Sequence, residues 1–231
     1  MGELVSFQSN GDSAEGYLAL PHAGSGPAVI VIQEWWGLVP HIENLCDRLA
    51  GEGFVALAPD LFHGVTATEP DEAGKLMMGM AMDRAGRDIA GTAAYLAGRG
   101  DTTDTTGGVG CVGFCMGGSL ALWSATLSDD VRATVGFYPG VPWERMSPTW
   151  SRYDGKAALI HTSEGDGGPE APGIQQAKAA IEGAGGEVTI YPYPGTEHAF
   201  FNDDRPEVYA PEAAQLAWQR TLEFFRSRLA G

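Results

Sequence analysis

The chain is short of positive charge. Of its 231 residues, 14 are Lys or Arg and 30 are Asp or Glu, which gives a formal net charge of −16. No cluster of basic residues stands out against that background. A phosphate backbone or an anionic membrane surface would be repelled by such a surface, so we expect neither nucleic acid nor membrane as a partner.

Long apolar runs and paired cysteines are also missing. The longest apolar stretch, at 28–32, is far too short to cross a bilayer, and the first ten residues lack the pattern of a signal peptide. The sequence has three cysteines, Cys46, Cys111 and Cys115. An odd number cannot all be paired in disulfides, and no two of them form a Cys-x-x-Cys motif. We therefore expect a reducing, cytoplasmic compartment with no disulfide, no metal site and no cofactor.

The sequence does contain a regular alternation of strands and helices from residue 28 onward. Strands are predicted at 3–9, 15–20, 28–33, 54–58, 108–114, 133–138, 157–162 and 187–191, and helices at 41–50, 71–98, 116–127, 173–183 and from Pro211 onward. This order predicts an α/β fold, with a mostly parallel sheet flanked by helices on both faces. No linker, repeat or second core is visible, so residues 1–231 are expected to form a single domain.

The sharpest motif is the pentapeptide at 113–117, Gly-Phe-Cys-Met-Gly, between a buried strand and a helix of small residues. It matches the G-x-nucleophile-x-G turn of α/β hydrolases, with Cys115 where serine is usual. Glycines flank the nucleophile because bulkier side chains would clash at so sharp a turn. The backbone N–H of Met116 is expected to face a developing oxyanion, and a helix N-terminus favours the thiolate of Cys115. A buried structural cysteine is the alternative.

Two later loops contain a candidate base and a candidate acid. His198 follows the last strand, at the sheet edge from which a general base could reach the nucleophile. Asp166 follows the strand at 157–162 and could orient the imidazole, with Glu164 as the competing acid. The chain order of nucleophile, acid and base is that of α/β hydrolases.

A fourth motif, Gln-Glu-Trp-Trp-Gly at 33–37, follows the strand at 28–33. The loop at this position supplies the second oxyanion donor in α/β hydrolases, here the N–H of Trp35. Glu34 is unusual, because a carboxylate beside a thiol either raises the thiol pKa or takes its proton. A surface glutamate at a strand end is the alternative.

Together these segments resemble the dienelactone hydrolase family over nearly the whole chain. The resemblance implies a triad of Cys115, His198 and Asp166, an enol-lactone or ester substrate, and an acyl-thioester intermediate hydrolysed by water with His198 as base. It also implies that Glu34 holds the resting thiol and is displaced by substrate, which would protect the cysteine from oxidation in the empty enzyme.

The sequence departs from the family pattern in the arginines that bind the substrate carboxylate. Asn202 stands four residues beyond His198, where such family members carry arginine, although Arg205 or Arg84 could substitute. The residues expected to contact substrate are Trp36, Phe62, His63 and Asn202, with a loop-positioning role as the alternative for His63.

The leading hypothesis is a cysteine-dependent ester or lactone hydrolase acting on a small molecule, as a monomer or weak homo-oligomer. A thioesterase or other acyl hydrolase on the same scaffold remains open, because a fold does not fix a substrate. A non-catalytic binding protein of degenerate hydrolase fold is the third possibility.

Overall fold

A computed structural model describes residues 2–9, 11–103 and 107–229. Eight strands form one sheet: β1 Glu3–Ser9, β2 Asp12–Ala19, β3 Ala28–Ile32, β4 Val55–Pro59, β5 Val109–Phe114, β6 Val131–Phe137, β7 Ala157–Ser163 and β8 Glu187–Tyr193. Their order across the sheet is β1-β2-β4-β3-β5-β6-β7-β8. The first two strands pair antiparallel, β2 joins β4 antiparallel, and all the other pairs are parallel. The predicted α/β fold with a mostly parallel sheet is confirmed.

Helices cover both faces of the sheet. They are α1 Pro40–Gly51, α2 Pro70–Gly79, α3 Met82–Ala97, α4 Met116–Leu127, α5 Pro172–Gly183 and α6 Pro211–Leu229. Alternate residues of β3 enter two separate cores because successive side chains in a strand point to opposite faces. Ile30 and Ile32 pack with residues of α3, α4 and α5, whereas Val29 and Val31 pack with α1 and α6.

One predicted element is wrong in its extent. The helix predicted over 71–98 is two helices, α2 and α3, separated by extended backbone at Met80 and Ala81. Gly79, a weak helix former, ends α2. Hydrophobic periodicity missed the break because apolar residues continue through it. The loop predicted at 99–108 lies in part outside the described residues.

The sheet topology brings the candidate motifs together. Strands β3, β5, β6, β7 and β8 run parallel, so their carboxyl ends meet at one edge, where α/β proteins place their binding sites. Within the described ranges, no helix combines the length and the apolar character that a membrane span requires.

Candidate active site

Cys115 lies on a strained turn between β5 and α4. Its backbone has φ 56° and ψ −117°, a left-handed conformation that is costly for any residue except glycine. Its N–H donates to Phe137 O at 3.0 Å, and its carbonyl accepts from Gly118 N at 3.0 Å. These bonds hold the half-buried thiol above the sheet edge.

The turn depends on close backbone approach at its glycines. A Cβ on Gly113 would lie 2.0 Å from Gly117 O, and one on Gly117 would lie 2.4 Å from Gln33 O. The glycines of the motif therefore allow α4 to approach β5 and β3, as the sequence predicts.

We expect Gly113→Ala to lower the free energy of unfolding by about 3 kcal/mol, because the added methyl group would push the backbone of Gly117 away from β5. Urea denaturation measures the change. Gly51→Ala is the matched control, since a Cβ there meets nothing within 4 Å. Equal stability of the two variants would contradict the packing argument.

Asp166 and His198, the candidate acid and base, contact each other at the sheet edge. His198 Nδ1 lies 2.8 Å from Asp166 Oδ2. The Ser163 hydroxyl also donates to Asp166 Oδ2. Cys115 acts on the same imidazole, where it helps to raise the pKa.

Glu164, the competing acid, has a different partner. Its Oε2 accepts the backbone N–H of Gly195 at 2.5 Å, which ties the loop after β7 to the loop after β8. This contact supports the loop bearing His198 without reaching the imidazole.

Two pKa shifts reflect this network. Burial acts to lower the pKa of His198, but hydrogen bonds to Asp166 and Cys115 outweigh it and raise the pKa to about 10. Burial acts to raise the pKa of Asp166, but hydrogen bonds from His198 and Ser163 outweigh it and lower the pKa. The arrangement therefore favours the charged forms of His198 and Asp166.

Glu34 is buried at the same site, with 3% of its surface exposed. Its Oε2 accepts from Asn202 Nδ2 at 2.8 Å. Burial raises the pKa of Glu34, and its interactions with His41, Asn202, His198 and Arg205 offset this only in part. A carboxyl with raised proton affinity beside a thiol can act as a base toward it.

A cavity of about 280 Å³ unites these groups. The residues lining it include Trp35, Trp36 and Arg205. Met116 also lines it, and as the first residue of α4 it has a backbone N–H without a partner inside the helix. The predicted oxyanion donors, Trp35 and Met116, therefore border the same space as Cys115.

Three predicted contact residues lie elsewhere. Phe62 and His63 line a neighbouring cavity of about 300 Å³, together with Arg84, rather than the cavity at Cys115. Asn202 is buried and contacts Glu34 instead of the cavity space. The loop after β4 is displaced from the thiol because β4 lies on the far side of β3 from β5.

Sequence reasoning missed Tyr138. Its ring centroid lies 5.0 Å from that of His198, and its backbone has φ 37°. The Tyr138 hydroxyl is buried without a hydrogen-bond partner among the described residues. Its place directly after β6, at the edge where the other motifs end, is the signal that could have found it.

The family model for the dienelactone hydrolase family matches residues 14–229. Protein usf from Aquifex pyrophilus is 38% identical over 243 residues, covering 99% of this chain and all of that protein. A protein of Aquifex aeolicus (strain VF5), provisionally named carboxymethylenebutenolidase, is 35% identical over 236 residues, with 99% and 100% of the two chains covered.

A solved structure shares the fold. The crystal structure of a provisionally named dienelactone hydrolase from Klebsiella pneumoniae has a TM-score of 0.82 and 27% identity, covering 98% of each chain. The family match over most of the chain, the full-length relatives and this shared α/β-hydrolase fold agree: the chain belongs to the dienelactone hydrolase family.

Proposed function

We propose that this protein hydrolyses a carboxylic ester or enol-lactone through a covalent acyl-thioester on Cys115. The observation that carries the proposal is that Cys115, Asp166 and His198 line one cavity, in which His198 Nδ1 lies 2.8 Å from Asp166 Oδ2. The provisional name carboxymethylenebutenolidase of the Aquifex aeolicus relative favours a lactone among ester substrates.

In the first half-reaction the thiolate attacks the substrate carbonyl carbon. The backbone N–H groups of Met116 and Trp35 stabilise the negative charge on the carbonyl oxygen. Collapse of the tetrahedral intermediate breaks the C–O bond, leaves the acyl group on sulfur, and passes a proton from the His198 imidazolium to the departing alcohol or enol oxygen. In the second half-reaction the neutral His198 takes a proton from water, and the hydroxide attacks the thioester carbonyl carbon. The C–S bond then breaks with its electron pair on sulfur, and the carboxylic acid leaves.

The test is a panel of enol-lactones, aryl esters and acyl thioesters, assayed with the wild-type enzyme and with Cys115→Ser. Turnover of lactones and esters that falls sharply in the variant supports the proposal. A preference for thioesters over both would assign a different acyl hydrolase, and no turnover of any class would favour a binding protein.

Glu34 has the position needed to regulate the thiol. It lines the same cavity as Cys115, and burial raises its pKa. We infer that Glu34 takes the thiol proton only when substrate occupies the cavity, so that the reactive thiolate does not persist in the empty enzyme.

Glu34→Gln is expected to abolish substrate-dependent activation of the thiol, because an amide cannot accept that proton. In the wild type, activation disappears as pH falls through the pKa of Glu34, which lies above the usual value for a carboxyl. The variant shows no substrate-dependent activation at any pH, so its profile lacks this decrease at low pH. Iodoacetamide labelling of Cys115 across pH, with and without substrate, measures both profiles. Identical profiles would count against the role of Glu34.

Arg205 is the candidate for a substrate carboxylate. It lines the Cys115 cavity, and its guanidinium pairs with Glu207 Oε1 at 2.8 Å. Arg84, the other candidate named from sequence, lines the neighbouring cavity. The site thus contains a cation that could exchange a solvent-exposed partner for a substrate anion.

We expect Arg205→Gln to raise KM about tenfold for a lactone bearing a carboxylate, the cost of one lost charged hydrogen bond. KM for an uncharged aryl ester should stay unchanged. Arg84→Gln is the matched control. Equal effects on charged and uncharged substrates would exclude Arg205 as the carboxylate anchor.

A further inference from the structure

A second cavity, of about 320 Å³, borders the Cys115 cavity and takes no part in the proposed thiol chemistry. Gly140 and Val141 line both cavities. The walls of the second cavity are formed by the segment that follows β6 and by the first turn of α5. The indole N–H of Trp143 joins these two elements by donating to Gly173 O at 2.7 Å. Cavities of about 300 Å³ and larger bind small molecules, so this one can hold part of a substrate.

Two hydrogen bonds fix the shared segment against the turn that bears Cys115. The N–H of Gly140 donates to Cys115 O at 3.3 Å, and the N–H of Val141 donates to Ser119 Oγ, in α4, at 2.9 Å. Val141 is buried, whereas Gly140 is exposed and has no side chain. The two cavities therefore meet at Gly140 over a ridge that consists of backbone alone.

Gly140 also lies beside the candidate base. A Cβ on Gly140 would lie 3.8 Å from His198 Cε1, the ring carbon that is bonded to Nε2. In the proposed mechanism, Nε2 returns its proton to the oxygen of the departing alcohol. That oxygen must come within hydrogen-bond reach of Nε2, so the alcohol separates from the acyl group close to Gly140.

The strand order separates the two ends of a substrate. Strands β3 and β6 flank β5 on opposite sides, so Trp35, which follows β3, and Gly140, which follows β6, lie on opposite sides of Cys115. Trp35 and Arg205 line the catalytic cavity but not the second one. The acyl group is therefore best accommodated beside Trp35, and the alcohol extends across Gly140.

The second cavity is suited to an apolar, uncharged group. Its buried side chains are Val141, Trp143 and Ile174, and the Trp143 N–H already has a partner. Glu144 and Gln176 are its exposed polar side chains. Among the described residues, no Lys, Arg or His lines it, so a carboxylate would meet no positive charge there. Hydrocarbon buried in this cavity would gain binding free energy in proportion to its area.

We propose that this cavity is the subsite for the leaving group, and that the substrate is an open-chain ester whose alcohol carries an apolar chain or ring. The proposal rests on the proposed thiol chemistry. The C–O bond that breaks on collapse of the tetrahedral intermediate lies beside Gly140, and its electron pair stays on the alcohol oxygen. That oxygen takes the proton from His198, the alcohol departs from the second cavity, and the acyl group remains on Cys115.

Two series of esters, followed by titration of the released acid at constant pH, test this assignment. Acetate esters of ethanol, butanol and hexanol all give the same acetyl-enzyme, so differences in kcat/KM report the alcohol alone. We expect kcat/KM of the wild type to rise about threefold for each added methylene group, through burial of apolar surface. Ethyl esters of acetic, butyric and hexanoic acids vary the acyl group instead.

Gly173→Leu places a side chain at the wall of the second cavity. A Cβ on Gly173 would make an ordinary contact with Trp143 Nε1 at 3.7 Å, and leucine is a better helix former than glycine. We expect kcat/KM for hexyl acetate to fall about tenfold or more relative to that for ethyl acetate, because the longer chain loses its place. The dependence on acyl length should stay that of the wild type.

Gly183→Leu is the matched control. Gly183 is the last residue of the same helix, α5, and a Cβ there meets nothing within 4 Å. This variant should keep the wild-type dependence on both alcohol length and acyl length.

Gly140→Leu tests the passage between the cavities independently of the wall at Gly173. Gly140 does not have the positive φ that would exclude a side chain. A leucine here raises the ridge, so the variant should also lose the preference for long alcohols.

Three outcomes would overturn the subsite. They are a wild-type kcat/KM that does not rise with alcohol length, a rise that survives in both Gly173→Leu and Gly140→Leu, and a rise that is lost in Gly183→Leu as well. If Gly173→Leu changed the dependence on acyl length instead, the cavity would hold the acyl group, and the assignment to the leaving group would be wrong. Hydrolysis that survives Cys115→Ala, or no hydrolysis of any ester by the wild type, would overturn the proposed function itself, so the two failures are distinguishable.

Discussion

If Cys115 is the nucleophile, as proposed, its replacement by alanine is expected to lower kcat/KM for aryl esters and lactones by about 10⁴-fold or more, as loss of the covalent nucleophile does in triad hydrolases. The turn at 113–117, the oxyanion donors and the cavity do not depend on the sulfur atom. Substrate binding should therefore persist while turnover disappears. Steady-state kinetics together with equilibrium binding of a slowly hydrolysed lactone would separate the two effects.

Cys111→Ala is the matched control for this prediction. Cys111 lies in β5, four residues before Cys115, and is fully buried. Burial raises the pKa of its thiol to about 12, so it supplies no thiolate near neutral pH. The variant should lose some stability through the small cavity it creates, with activity per folded molecule retained. Comparable activity of the two variants would exclude Cys115 as the nucleophile.

The fold follows closely from the sequence because its signals are local and repeated. Continuous runs of β-branched residues, as at 28–32, indicate strands buried on both faces, and these runs alternate with helical patterns. The break between α2 and α3 is not predicted, for the same reason: the local pattern of apolar residues continues through the two extended residues, Met80 and Ala81. Family membership was also predictable, because the motifs that carry it are short and contiguous.

The sequence predicts the part of the site that follows directly from the parallel sheet. Cys115, Asp166 and His198 each follow a parallel strand, so the sheet alone brings them to one edge. The position of each strand within the sheet also decides which cavity its loop reaches. Phe62 and His63 also follow a parallel strand, yet they line a different cavity, because β4 is separated from β5 by β3.

Contacts among buried polar groups were the least predictable part. Asn202 marks the place where family members that open dienelactone carry arginine, and the sequence therefore suggested a contact with substrate. The structure instead places its amide on Glu34, fixed by a backbone N–H from Asp204. His41, for which the sequence offers no signal of burial, is buried against Asp203. Such networks join residues distant in sequence, and no periodicity reveals them.

The orientation of His198 underlies a second large effect. Asp166 Oδ2 accepts from His198 Nδ1 and from the Ser163 hydroxyl, so it can act only as an acceptor toward the ring. When the ring is neutral its proton therefore stays on Nδ1, and Nε2 is the nitrogen that exchanges a proton with sulfur or water. An amide at 166 can instead donate to Nδ1, which would place the ring proton on Nε2 and block that transfer.

Asp166→Asn is therefore expected to lower kcat about 10³-fold, through the wrong tautomer of the base. The hydrogen bond and the charge of Asp166 both help to raise the pKa of His198 to about 10, so their removal should shift the His198 titration to lower pH. Kinetics and an NMR titration of the ring nitrogens measure the two effects on the same variant.

Glu164→Gln is the control, because Glu164 bonds the Gly195 N–H and a glutamine carbonyl can keep that bond. Loop structure should survive in both variants, so a difference between them isolates the contact between Asp166 and the imidazole. If Asp166→Asn retained kcat while Glu164→Gln lost it, the acid would be Glu164, and the loops after β7 and β8 would have to rearrange during catalysis. If both variants kept an unshifted His198 titration, the imidazole would be oriented by the protein backbone, and the proposed triad would reduce to a pair of cysteine and histidine.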